Sequence, residues 1–340
     1  MQSTDGAREA RRMHHLPRER RQRKSVRRFG RALGVRLAVA LVTVTAAGAC
    51  TAPGATPPAD TVTDRAATLP LPEVARRADY LLLGELHDNA HHHRMRLRWL
   101  DELADVHRYA LALEQLDADR QAMLDQALAD DVLEAGRSPA TDLASRARRI
   151  ASAAGFDFNG WSWAFYGPVI ELALRRDLPL VAANLSNADT AKVAQGVVEP
   201  APPPPGWGDD EAERMREAIR EGHCNLLPER AVEAMAVAQR TRDARIARAL
   251  VDAHERTGLP VVLLAGNGHL RRDVGVPLHL AALRPNARVV SIALLEPREL
   301  ARQAQVSSGR SPFDVVVPTA SQPRKDPCAA LRDHMQRRAR

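Results

Sequence analysis

The stretch Tyr80-Leu-Leu-Leu-Gly-Glu-Leu-His-Asp88 decides the fold, because a continuous apolar run ends abruptly in polar residues. Four more runs follow the same plan along the chain, at 109–113, 178–183, 260–265 and 287–295. Continuous rather than alternating hydrophobicity is typical of strands buried on both faces. The sequence therefore predicts an α/β fold with a central, mostly parallel sheet flanked by helices.

Helical patterns separate the predicted strands. The apolar spacing predicts helices over 91–106, 117–134, 142–154 and 168–176. Together with the strands they predict one α/β domain over about 70–300.

A long insertion, at about 200–257, separates the third and fourth strands. It opens with Pro202-Pro-Pro-Pro205 and contains two amphipathic helical patterns, 211–221 and 229–256. An insertion of this length is rarely an idle loop. A lid, a dimer surface, one wall of a pocket and a helical layer on the sheet all fit, so the pattern predicts a helical subdomain without choosing among them.

Positive charge is concentrated at the N-terminus. The first 49 residues contain 12 basic and 3 acidic side chains, whereas the remainder contains 37 basic and 39 acidic ones. The net charge of +7 therefore belongs to a leader rather than to the folded part. This distribution argues against a nucleic-acid-binding surface.

The leader predicts export. Residues 37–49 form a short apolar run that ends in Ala47-Gly-Ala-Cys50, similar to a bacterial lipoprotein signal. We predict a signal peptide over 1–49, lipidation of Cys50 and an Ala/Pro/Thr-rich tether over 50–69, which would anchor the protein to a membrane of the bacterial cell envelope. The alternative is an ordinary secretory signal that is cut before Cys50.

Polar side chains follow the predicted strands directly. In an open parallel sheet, residues at the carboxyl ends of the strands meet at one edge. We therefore expect five side chains to converge there: Glu85, His87, Glu114, Asn184 and His269. A turn-and-cap pair for Glu85 and His87, an arginine partner for Glu114 and a core imidazole for His269 are the structural alternatives.

Two further segments bring candidate ligands. His91-His92-His93 opens a helix, where consecutive residues spread around the circumference, so at most two of them join His87 and the others are solvated. The segment 159–168 contains Trp161, Trp163 and Tyr166, which suit either a flat wall for a planar ligand or a hydrophobic plug. Tyr166 is a candidate oxygen ligand for ferric iron.

The remaining cysteines and the C-terminus leave alternatives open. Cys224 and Cys328 either form a disulfide or leave Cys224 near a site. Residues 301–340 form a C-terminal extension in which 313–317 suits an edge strand, and the Arg-rich residues from Gln322 onward indicate a frayed, partly disordered end.

These motifs together resemble the ChaN family of haem-binding lipoproteins, related to the Tiki/TraB and erythromycin-esterase-like superfamily. The resemblance covers about 70–297, and it rests on the motifs that contain Gly84-Glu85-x-His87-Asp88, Ala112-Leu-Glu-Gln115, Trp163-x-x-Tyr166-x-Pro168, Ala182-Ala-Asn184, His223-Cys224, Gln239-x-x-Arg242-Asp243 and Ala265-Gly-Asn-Gly-His269. It implies haem bound with help from a partner subunit, in a homodimer, and a role in iron acquisition. Tyr166 or a histidine of the 87–93 cluster would ligate the iron.

The sequence supports three hypotheses for the function of the protein. The one we favour is an exported haem-binding lipoprotein that handles haem at the cell envelope, with Glu85, His87, Glu114, Tyr166, Asn184 and His269 as site residues. The alternative is a hydrolase at Glu85, His87, Glu114 and His269, either assisted by a metal such as zinc or manganese or using Glu85 as a general base. A structural or chaperone-like lipoprotein ranks last, because it leaves the carboxylates at the strand ends unexplained.

Overall fold

The computed structural model describes residues 69–137, 142–306 and 311–338. The predicted signal peptide, the lipidation site at Cys50 and nearly all of the predicted tether lie outside the described residues. Within the described part of the chain, no helix combines the length and the apolar composition that crossing a membrane requires.

A six-stranded sheet forms the centre of the fold, and every strand pair in it is parallel. In chain order the strands are β1 (Tyr80–Glu85), β2 (Ala110–Asp117), β3 (Leu180–Asn184), β4 (Val261–Gly266), β5 (Val289–Leu295) and β6 (Val315–Pro318). Their order across the sheet is β3-β2-β4-β1-β5-β6. The predicted α/β class with a parallel sheet is confirmed.

Helices cover both faces of the sheet. In chain order they are α1 (Ala90–Ala104), α2 (Gln121–Arg137), α3 (Leu143–Ala153), α4 (Trp163–Arg175), α5 (Asn187–Ala194), α6 (Asp209–Gly222), α7 (Glu229–Thr257), α8 (Val276–Leu283), α9 (Pro297–Val306) and α10 (Pro327–Arg338). The predicted start of α4 at Pro168 is wrong, since the helix begins at Trp163 and includes the proline. Burial of Tyr166 and Val169 outweighs the cost of a proline inside the helix.

Each face of the sheet has its own apolar core. On β1, Leu81 and Leu83 join the core shared with α1 and α4, whereas Tyr80 and Leu82 join the core shared with α7 and α8. Successive side chains of a strand point to opposite faces, and burying one leucine side chain contributes about 2 kcal/mol. The continuous apolar runs of the sequence are therefore needed to fill both cores.

The predicted insertion forms α6 and α7. The long helix α7 packs along β2, β3 and β4 through side chains such as Ile246 and Leu250, and it ends at Gly258 in the left-handed conformation, with φ of 67°. Of the predicted roles for the insertion, the helical layer on the sheet is what α7 adopts.

The C-terminal extension contributes to the fold. Strand β6 pairs with β5 at the edge of the sheet, in agreement with the predicted edge strand. The frayed end predicted from Gln322 onward is wrong for Pro327–Arg338, which form α10. A disulfide between Cys224 and Cys328 ties this helix to the residues that follow α6, and such a crosslink stabilises a fold by restricting the unfolded chain.

Candidate functional site

The polar residues predicted to converge lie along the carboxyl edge of the sheet. Glu85 ends β1, Glu114 lies near the end of β2, and Asn184 ends β3. His269 lies in a 3-10 turn, Asn267–Leu270, directly after β4. The structure arranges these residues in two networks, each centred on a buried glutamate.

The first network consists of residues that contact the Glu85 carboxylate, and we call it the Glu85 network: Glu85, His87, His93, Arg96 and Tyr166. Glu85 is 1% exposed, and its Oε1 accepts a hydrogen bond from the Tyr166 hydroxyl and lies 2.7 Å from His87 Nδ1. Its Oε2 forms an ion pair with Arg96 and lies 3.3 Å from His93 Nδ1. The guanidinium therefore offsets the cost of burying the carboxylate.

The side chains behind Glu85 are held in fixed protonation states. Burial raises the pKa of the Tyr166 hydroxyl, and it lowers the pKa of His93 to about 4. Burial also lowers the pKa of Arg96 to about 10, which leaves the guanidinium charged at neutral pH. Tyr166 is 1% exposed and thus remains a neutral hydrogen-bond donor to Glu85.

His87 is the member of the Glu85 network that reaches the surface, with 43% of its side chain exposed. An imidazole that donates its Nδ1 hydrogen to a carboxylate presents the lone pair of Nε2 to a ligand. The protein around the ring lowers the pKa of His87, against the opposing effect of the Glu114 carboxylate, so the ring is neutral at neutral pH. The rings of His87 and Trp161 meet edge-on, with centroids 4.8 Å apart.

The second network, which we call the Glu114 network, consists of residues from β2, β3, α7 and the turn after β4: Glu114, Asn184, Arg242, Asp243 and His269. Glu114 Oε1 lies 3.3 Å from His269 Nε2 and 3.5 Å from the Arg242 guanidinium. His269 Nδ1 contacts the Asp243 carboxylate, and Arg242 Nε donates to Asn184 Oδ1 over 3.1 Å. The arginine partner predicted as the structural alternative for Glu114 is present, and His269 joins it.

The Glu114 network carries fixed charges. Burial acts to lower the pKa of His269, but the carboxylates of Glu114 and Asp243 raise it to about 9. Burial acts to raise the pKa of Glu114, but His269, His87 and Arg242 hold it well below its usual range. His269 is consequently a cation between two carboxylates at neutral pH, and it has no lone pair to offer a ligand.

A glycine joins the two networks. The Gly266 backbone N–H donates to Glu114 Oε2 over 2.8 Å. A Cβ at this position would lie 2.8 Å from His87 Nε2, so the missing side chain leaves room beside the imidazole.

The consecutive histidines at the start of α1 point in different directions and have different partners. His93 joins the Glu85 network, whereas His92 Nε2 lies 2.7 Å from the Thr319 hydroxyl and its Nδ1 accepts from the Leu86 N–H. The prediction that the remaining imidazoles are solvated is wrong for His92, because residues after β6 cover it and burial lowers its pKa to about 3.

The aromatic residues of the segment 159–168 also lie in different surroundings. Trp161 contacts His87 at the surface of the site, whereas Trp163 packs against Phe156 and Phe158 at the margin of the core. Trp163 therefore forms the predicted hydrophobic plug, whereas a flat wall for a planar ligand stays a prediction for Trp161.

A divalent metal site is not supported. Within 69–137, 142–306 and 311–338, no three His, Cys, Asp or Glu side chains form a group that could hold a metal ion. The predicted zinc or manganese ligands instead contact one another and the arginines Arg96 and Arg242.

Sequence reasoning assigned no site role to Arg96, Arg242 or Asp243. Arg96 and Asp243 are at most 1% exposed, although each lies in a helix with many solvated charges. The available signal was the pair of adjacent opposite charges, Arg242-Asp243, in the middle of an amphipathic helix.

Comparison with known proteins gives one family. The family described as haem-binding uptake, Tiki superfamily, ChaN matches residues 71–280. No curated protein matches the chain.

Two solved structures are similar to this chain, and the first of them shares its fold. The structure of ChaN of Campylobacter jejuni with cofacial haem is 22% identical, with a TM-score of 0.54, and the match covers 65% of this chain and 82% of that chain. An erythromycin esterase mutant in its open conformation is 16% identical, with a TM-score of 0.39, over 66% of this chain and 71% of that chain.

Proposed function

Because this chain belongs to the ChaN family of haem-binding uptake proteins of the Tiki superfamily, we propose that it binds haem at the mouth of the Glu85 network, with His87 as the ligand to iron. One observation carries the assignment. The His87 imidazole is exposed and neutral, and its Nδ1 contacts Glu85, so that Nε2 is the ring nitrogen that would contact a ligand.

The second predicted iron ligand, Tyr166, fits less well. A phenolate ligand needs a deprotonated hydroxyl that can be reached, whereas Tyr166 is buried, donates to Glu85 and has a raised pKa. The other two tyrosines of the sequence, Tyr80 and Tyr109, are also at most 1% exposed. We therefore place Tyr166 behind the ligand, as a positioning residue for Glu85.

The residues around His87 suit a flat, apolar group. Haem iron supplies an axial position that an imidazole nitrogen fills. Glu85 orients the ring and increases its basicity, Trp161 adds an aromatic surface, and Gly266 leaves space beside Nε2.

We propose that a second copy of the chain completes the site. A haem held by His87 at an open edge leaves its other face to solvent, which is costly for a large apolar ring. Cofacial haem binding is described for ChaN of Campylobacter jejuni. A homodimer with two haems face to face would cover both exposed surfaces, and haem-dependent dimerisation in analytical ultracentrifugation would test it.

We also propose that the protein works in the cell envelope. The basic leader, the short apolar run and Ala47-Gly-Ala-Cys50 support export and lipidation of Cys50, with membrane attachment through the lipid. Labelling of the expressed protein with a palmitate analogue, compared between the wild type and Cys50→Ala, tests this part. Label retained in the Cys50→Ala protein would contradict it.

Hemin titration tests the proposed ligand. We expect a saturable Soret change in the wild type and an affinity at least about a hundredfold weaker in His87→Ala, since the loss of even an outer-shell partner costs about 10–100-fold. His107→Ala is the matched control, because His107 precedes β2 at the opposite edge of the sheet. An unchanged titration in His87→Ala, or loss of the spectrum in Tyr166→Phe alone, would assign iron ligation elsewhere.

A second variant tests whether the ligand contacts His87 Nε2. Gly266→Ala places a methyl group against His87 Nε2, and the half-exposed ring has room to move away. We expect weaker haem binding with little loss of stability. Wild-type haem affinity in this variant would show that Nε2 does not face the ligand.

A further inference from the structure

A cavity of about 350 Å³ lies beyond the Glu114 network, between the ends of β2 and β3. Leu113 pairs with Ala182 and Asp117 pairs with Asn184, so β2 contains two more residues than β3 over this interval and bulges away from it. Trp161 lines the cavity on the side of the proposed haem site. Its volume lies in the range of small-ligand pockets.

Gln115 belongs to the wall of this cavity, and its buried amide makes no hydrogen bond among the described residues. The side chain is 3% exposed, and neither its Oε1 nor its Nε2 has a hydrogen-bond partner among the described residues. Buried polar groups are paired in the great majority of cases, so an amide without partners beside a cavity indicates a ligand that supplies them. Neither network uses Gln115.

The cavity wall has an excess of negative charge. It contains five carboxylates and two basic side chains: Glu114, Asp117, Asp119, Asp157, Asp189, Arg120 and Lys192. Lys192 is paired with Asp189 over 2.7 Å, and His269 balances Glu114. After these pairs are set aside, the wall retains three carboxylates and one basic side chain: Asp117, Asp119, Asp157 and Arg120.

The environment of Asp117 supports the same conclusion. Burial and the charge of Asp119 raise the pKa of Asp117 to about 6, against the opposing effects of Arg120 and Arg242. A bound cation would relieve both the burial and the repulsion.

We propose that this cavity binds a small organic cation that carries N–H donors, such as an alkylguanidinium or alkylammonium group. Its N–H groups would donate to the Gln115 carbonyl and to the carboxylates of Asp117 and Asp119, and Trp161 adds an aromatic surface that attracts cations. An anion would meet the excess of carboxylates, and a neutral ligand would leave that excess in place.

Calorimetric titration of the full chain with agmatine tests the proposal, with N-butylurea as the neutral probe. We expect saturable 1:1 binding of agmatine that weakens with salt, and no binding of N-butylurea. Gln115→Met and Asp117→Asn should each weaken agmatine binding about tenfold, as the loss of a hydrogen bond to a charged group does. Asp130→Asn, an exposed change in α2 outside the cavity wall, should leave it unchanged.

Two further measurements separate the outcomes. Gln115→Met removes an unpaired buried amide, so its Tm should equal or exceed that of the wild type, which excludes misfolding as the cause of weaker binding. Agmatine should also bind the hemin-loaded protein. Absence of saturable binding, equal binding of N-butylurea, unchanged binding in both cavity variants, or displacement of agmatine by hemin would each overturn the proposal.

Discussion

The two networks at the sheet edge use the same residue types for different ends. Each places a glutamate from a strand end against an arginine and a histidine, yet the His87 side chain is 43% exposed and the His269 side chain is 7% exposed. His87 follows β1 in an open loop before α1, whereas α7 packs over the turn that holds His269 and contributes Asp243.

The two imidazoles also differ in protonation. The protein around the His87 ring lowers its pKa, and the opposing effect of the Glu114 carboxylate is smaller, so the imidazole stays neutral. His269 lies between two carboxylates and is held as a cation. Neighbouring charges and burial, rather than the His-Glu pair itself, therefore decide between a neutral imidazole and a cation.

Removing the structural cation should have the largest effect on stability. His269→Gln leaves Glu114 and Asp243 buried without their shared partner, and we expect a loss of about 3–5 kcal/mol in the free energy of unfolding. Urea denaturation followed by circular dichroism measures it. His254→Gln is the matched control, since this imidazole makes one hydrogen bond to the Leu259 carbonyl. If both variants lost the same free energy of unfolding, His269 would contribute no more than an ordinary imidazole. The proposed difference between the two networks would then be wrong.

The difference in pH dependence of stability between the wild type and His269→Gln should report the Glu114 network, because the other titrating groups are common to both proteins. The pKa of His269 is raised from 6.5 to about 9 by folding, so its contribution is complete below pH 6.5 and is lost as the pH rises through about 9. The loss is roughly 3 kcal/mol, since one pKa unit corresponds to about 1.4 kcal/mol.

Urea denaturation between pH 6 and 10 measures this loss. His269→Gln should flatten the decline. His87→Ala should retain the decline above about pH 7.5, because the lowered pKa of His87 in the fold and its usual value of 6.5 both lie below that pH. A decline of unchanged size in His269→Gln would contradict the assignment.

Glu85→Gln should weaken haem binding about 10–100-fold, because an outer-shell carboxylate orients the ligand and increases its basicity. Hemin titration measures the change. Glu296→Gln is the matched control, since Glu296 is also a buried carboxylate at a strand end, paired with Arg324. Both variants should lose stability, but only Glu85→Gln should lose affinity. Equal affinities would leave Glu85 with a purely structural role.

The sequence was sufficient to predict the sheet and the edge where the site lies. Apolar runs located five strands, and the parallel arrangement required Glu85, Glu114 and Asn184 to share one edge. To predict which residues lie at the ends of the strands, only the direction of each strand is needed, and the fold class gives that direction.

The same reasoning could not predict the charged residues that helices contribute to the two networks. Hydrophobic periodicity identifies the apolar face of a helix, but Arg96 and Asp243 are charged residues buried within such faces. The pairing of Cys224 with Cys328 spans 104 residues and depends on where α10 packs. Tyr166 became a buried donor because α4 begins at Trp163 rather than Pro168, and Ser162 at its N-cap was the local signal for that start.

The smallest effect should come from Tyr166→Phe, which sharpens the contrast between a ligand and its support. Removing the hydroxyl deletes one buried hydrogen bond to Glu85, for which we expect a loss of about 1–2 kcal/mol of stability. Haem affinity and the Soret position should stay near wild type, because His87 keeps its contact with Glu85. Tyr109→Phe is the matched control, since its buried hydroxyl donates to the Leu100 carbonyl far from the site. A shifted Soret band in Tyr166→Phe, absent from Tyr109→Phe, would make the phenol the iron ligand and His87 its support.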